Sequence, residues 1–322
     1  MIVGSMPVLG IALALCSAAV LSVGNLWQSR GVRLAAERAE ASGSSSASAR
    51  QLLRTPVWLG GTLLFGIAIL LQMGGLALAP LILVQPIGVA ALVFTTLLTA
   101  RSSGRRPART VVQAILLSLV GVIAFVTVAA VVSKQRPIGT QQLVEMLTTL
   151  GAVLIAALVV VLVGKRGTLP PLVYVALGGV FSGFVATLGK TVILRVEDMF
   201  TGGRFHFGPE SLLTLVCIVG IGVASGLSIY FVQFSHTCNS PDVVIAGLTV
   251  IDPALAVVLG ITILHEAAGA PMWSTFAFVV AGAIAVLGVL RLARAEGSLE
   301  AVSSDSSAPQ PSSSHPRTGD RA

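Results

Sequence analysis

The residues that could do chemistry are few and lie inside long apolar runs. Asp252, followed by Pro253, stands near the middle of the run 242–264. A carboxyl group is costly at that depth, so such residues usually serve a substrate or proton path. The competing role is a protonated Asp that hydrogen-bonds a neighbouring helix as structural glue. Pro253 adds to the signal, because it has no N–H for the carbonyl of Thr249 and is expected to break the helix there. Pro86, after Gln85, should do the same to the carbonyl of Ile82 and leave a half-helix bordering a cavity, or else be a tolerated structural proline.

Lys190 lies four residues from the end of the run 171–194. Its side chain is long enough to snorkel to the headgroups. Gly178, Ser182, Ala186 and Lys190 nevertheless share one ridge at i+4 spacing, and a ridge of small residues normally faces another helix. Gln72, Gln233 and Asn25 are further polar candidates within the runs. His265 and Glu266 fall at the end of a run, where a solvated helix terminus is the expectation.

These residues are positioned by elements that only a bilayer accommodates. The chain has 322 residues, of which 55% are hydrophobic and 10% charged, against roughly 25% charged in an average soluble domain. The apolar residues form nine runs of about the length needed to cross hydrocarbon as a helix: 7–27, 57–78, 80–100, 111–133, 143–163, 171–194, 211–234, 242–264 and 273–292. They are apolar on every face, unlike the alternating strands of a membrane barrel. The expected fold class is therefore an all-α integral membrane protein with nine transmembrane helices. The first run lacks the basic flank of a signal peptide and is kept as a helix.

The net charge of +7 carries topology. Fifteen Lys and Arg fall on the side of the first connector and four on the other, with Lys190 inside a span. The positive-inside rule then places the amino terminus outside and the carboxyl terminus in the cytoplasm. Basic residues confined to short connectors argue against nucleic-acid binding. Cys16, Cys217 and Cys238 show no spacing for a disulfide framework or zinc site and read as small hydrophobes. The connector 28–56 should contain a short surface helix and a flexible stretch, and the Ser/Pro-rich tail 296–322 should be disordered.

An internal repeat organises the spans. At an offset of 161 residues, Gln72 meets Gln233, Pro80 meets Pro241, Val89 meets Val250 and Gly121 meets Gly282. At 165, Ser17 meets Ser182, and Gly24-Asn25 meets Gly189-Lys190. Spans one to four (about 7–133) thus correspond to spans six to nine (about 171–292), with span five between. A shift of five spans inverts the second copy, the arrangement of secondary transporters that alternate between two conformers. In this frame Gln72 and Lys190 form an outer polar layer, and Asn25 and Gln233 an inner one, on either side of Asp252.

The segment Ala79-Pro80-Leu81-Ile82-Leu83-Val84-Gln85-Pro86-Ile87-Gly88, the Trp58-Leu59-Gly60 before it, and the first span resemble the NIPA group of the drug/metabolite transporter superfamily. Pro241 to Gly247 and Leu264-His265-Glu266 are similar to the wider superfamily, the EamA-like transporters. The resemblance implies about nine spans, an outside amino terminus and a secondary transporter in the plasma membrane, not an enzyme. It also implies magnesium as one substrate, but the position where that group carries an acidic residue in span two is Ile69 here. A hard divalent cation wants carboxylate ligands. The leading expectation is therefore a transporter of a small polar or cationic solute, proton-coupled through Asp252, without a cofactor. A divalent-cation transporter and a non-transporting assembly or receptor protein are the alternatives.

Overall fold

A computed structural model describes residues 6–41, 49–102, 108–135, 138–164, 169–201, 209–239 and 241–306. The described residues form eleven helices and no strand: α1 (Pro7–Ala41), α2 (Ala49–Leu53), α3 (Pro56–Leu78), α4 (Leu81–Ile87), α5 (Ala90–Ser102), α6 (Arg109–Val132), α7 (Thr140–Val163), α8 (Pro171–Thr201), α9 (Pro209–Cys238), α10 (Pro241–Thr262) and α11 (Met272–Ser306). Nine spans among them, with α4 and α5 counted together, are long and apolar enough to cross a membrane. This is an all-α membrane protein. Large apolar side chains such as Leu63, Leu70, Val131, Leu162 and Phe276 are exposed, as suits a surface solvated by lipid.

Proline punctuates the helix starts. Pro7, Pro56, Pro171, Pro209 and Pro241 are first residues of helices, where the missing N–H has no intrahelical partner to lose. Three boundaries differ from the sequence expectation. Span three is divided, but at Gly88–Val89 and not at Pro86, which lies inside α4; tight bonds from Gly88 N–H to Gln85 O and Val89 N–H to Pro86 O close the turn after the proline. Pro253 does not break its helix, because α10 runs continuously through it. A helix wedged among neighbours tolerates one missing internal bond. The tail is helical through Ser306, since Ala293, Ala295, Leu299 and Ala301 favour helix; the rest of it lies outside the described residues. The connector carries the end of α1 as far as Ala41 and the short α2.

The helices pack in two sets. In the first set α1 runs along α3 and against α4 and α5, and in the second α8 runs along α9 and against α10. The sets meet where α6 lies along α11 and where α4 touches α10. The α6–α11 contact is backbone to backbone: a Cβ on Gly121 would overlap Ala285 N, and one on Gly288 would overlap Ser118 N. Helix α7 packs on α8 and α9 outside this pattern.

Candidate functional site

Two polar constellations occupy the interior, and they are separate. The first surrounds Asp252. The small residues of α8 let α10 approach it closely, for a Cβ on Gly183 would sit 2.9 Å from the carbonyl oxygen of Asp252. One turn of the ridge brings Ser182 to the carboxyl group, and its Oγ donates a 2.6 Å hydrogen bond to Asp252 Oδ2. Asp252 Oδ1 is buried and has no partner among the described residues.

On its other side Asp252 borders a cavity of about 430 Å³ lined by α1, α3, α4, α5 and α10. Its polar lining comprises Ser17, Asn25, Gln72, Gln85, Thr95, Thr249 and Asp252. Gln85 is buried on α4, whose division from α5 at Gly88 exposes backbone to the same space. Ser17 Oγ is turned to Ala68 O, 2.7 Å away. An unpaired carboxylate oxygen beside amide and hydroxyl groups can accept from an ammonium or amide donor, coordinate a cation, or take a proton.

A second cavity, of about 540 Å³, opens between α4, α6, α10 and α11. Phe125, Val122, Val257 and Phe278 make it predominantly apolar, and it shares Val89, Thr249 and Pro253 with the first. Pro253 thus forms a partition between a polar and an apolar space.

The second constellation centres on Glu266. Beyond α10, His265 adopts a left-handed backbone, φ 55°, which turns the chain so that Glu266 points back into the bundle. Its backbone N–H donates to Gly260 O, and its carbonyl accepts from Lys134 N–H. Its carboxylate accepts from Leu81 N–H at 2.8 Å and Ile82 N–H at 3.0 Å, at the start of α4. Lys190 Nζ lies 2.7 Å from Glu266 Oε1 and donates to Ala79 O, also at 2.7 Å. Lys190 and Glu266 are 1% and 2% exposed.

The sequence-predicted residues sort accordingly. Asp252, Gln72 and Asn25 share the first cavity. Lys190 does not share the cavity with Gln72: it is bound to Glu266 and is not among the lining residues. Glu266 is not a solvated terminus, because the turn at His265 buries it. Gln233 lies outside the cavity on an exposed face of α9. Sequence reasoning missed Glu266 as Lys190's partner, Ser182 as Asp252's, and Gln85 as a lining group. An unpaired Lys near one end of the bundle, with a carboxylate in a linker at the same end, was the available signal for the first. The chain matches no protein-family model, no curated protein and no solved structure.

Proposed function

We propose that this chain is a secondary transporter of the drug/metabolite type, carrying a small polar or cationic solute by alternating access between its two four-helix sets. The observation that carries the reading is the unpartnered Oδ1 of Asp252 beside the 430 Å³ cavity, where polar groups of the first set meet α10 of the second. A midplane carboxyl group used only as glue would spend both oxygens on neighbouring helices; here one is left unpaired, on a residue that borders a space large enough for a small solute. The matching contacts of α1 with α3 and of α8 with α9 support the repeat on which alternating access depends.

In this reading Asp252 contacts a cationic solute, or exchanges a proton for it, while Asn25, Gln72, Gln85 and Thr95 supply neutral hydrogen-bond partners. The charge asymmetry of the connectors orients the chain with its amino terminus outside and carboxyl terminus in the cytoplasm of a plasma membrane. Asn25 and Thr95 then lie toward the cytoplasm, and the Lys190–Glu266 pair toward the outside. Flux of organic cations, amines, neutral polar solutes and magnesium into liposomes containing the purified chain tests the proposal. Uptake of one class above empty liposomes, lost in Asp252→Asn, is the expected result. No flux for any class under either a proton gradient or a membrane potential would refute it.

A further inference from the structure

The two four-helix sets are in different states. In the first, Ser17 and Asn25 border the cavity. Their counterparts in the second, at the 165-residue offset, are Ser182 and Lys190, and these are engaged in the interior by Asp252 and Glu266. Where the first set leaves a space, the second has α8 pressed on α10, with no room for a Cβ at Gly183.

The asymmetry has a fastening at one end. Glu266 holds Lys190 of α8 and the first two N–H groups of α4, and Lys190 also holds the carbonyl of Ala79 between α3 and α4. One ion pair therefore ties α8, the α3–α4 corner and the α10–α11 linker together. The end it closes is the one poor in Lys and Arg. The cavity extends the other way, toward Asn25 and Thr95, which stand near the basic connectors after α1 and α5.

We infer that the Lys190–Glu266 pair is an outer lock, and that its release opens between α8, α9 and α10 the counterpart of the present cavity, lined by Ser182, Ala186 and Gln233. The lock accounts for a buried charge pair remote from the solute cavity, and for Gln233, which is exposed on α9 outside that cavity while the lock is closed. The inference rests on the transport reading, but it is tested without a solute.

The test uses the full chain in liposomes with Cys16, Cys217 and Cys238 replaced by Ala and one reporter cysteine, at Ala186 or at Thr95. The rate of modification by a small cationic methanethiosulfonate is followed by mass spectrometry. With a closed state that dominates the open one by roughly tenfold or more, Glu266→Gln should speed labelling at Ala186→Cys about tenfold and slow it at Thr95→Cys. Lys190→Met should do the same, and Glu266→Asp, which keeps the charge on a shorter arm, should give smaller shifts in the same directions. Unchanged rates at both reporters would overturn the lock, as would acceleration at both, the signature of general loosening. Opposed shifts without flux of any screened solute would leave the lock standing and remove the transport reading; flux with constant labelling would do the reverse.

Discussion

Lys190 and Glu266 are 76 residues apart in sequence and 2.7 Å apart in the structure, but their supports are unequal. Without Lys190, Glu266 would still accept from the N–H groups of Leu81 and Ile82. Without the carboxylate charge, Lys190 would keep only the carbonyl of Ala79. Breaking a buried pair costs about 3 kcal/mol or more, chiefly through the charge left behind. Glu266→Gln should therefore lower the midpoint of thermal unfolding in detergent more than Lys190→Met. A larger loss in Lys190→Met would show that the α4 N–H groups do little to hold the carboxylate.

The sequence made the nine spans legible because a bilayer demands long runs without charge, and composition reports that directly. Asp252 was legible for the same reason. Glu266 was not, because its burial follows from one left-handed residue, His265, in a linker that hydropathy reads as solvated. The place of Lys190 outside the cavity was not legible for a related reason: a span gives a side chain's height but not its direction, and Lys190 reaches Glu266 in the linker. The division of span three fell at Gly88 instead of Pro86 because the constraint proline imposes is taken up in the following turn.

The α6–α11 seam predicts a contrast between two glycines. A methyl group on Gly288 would meet the backbone N and Cα of Ser118, which cannot swing aside, whereas one on Gly222 in α9 meets nothing within 4 Å. Gly288→Ala should destabilise the protein by about 1–3 kcal/mol. Gly222→Ala should be neutral or stabilise it by up to about 1 kcal/mol, through helix propensity. Thermal unfolding of the two variants side by side checks this, and equal midpoints would mean that the two helices separate freely at Gly288.

Orientation can be read from two exposed positions in connectors of opposite charge character. Arg54 follows α2 on the basic side, and Lys134 follows α6 on the other. In a background lacking the three native cysteines, an impermeant thiol reagent applied to intact cells should label Lys134→Cys and spare Arg54→Cys until the membrane is permeabilised. The opposite pattern would invert the protein and place the Lys190–Glu266 pair on the cytoplasmic face.

Asp252 and Ser182 separate a binding carboxylate from structural glue. Asp252→Asn keeps the shape and can still accept the Ser182 hydrogen bond, but it can neither ionise nor coordinate a cation strongly. It should fold with a near-normal midpoint and lose transport. Ser182→Ala removes a 2.6 Å bond to Oδ2 and leaves the unpaired Oδ1 unchanged. A hydrogen bond to a charged group is worth about 1.5–3 kcal/mol, so this variant should change the solute KM by roughly tenfold while transport persists. If Asp252 were glue, the order would reverse: both variants would transport normally, and the losses would appear only in unfolding. Wild-type flux in Asp252→Asn therefore decides against the carboxylate as a solute or proton group.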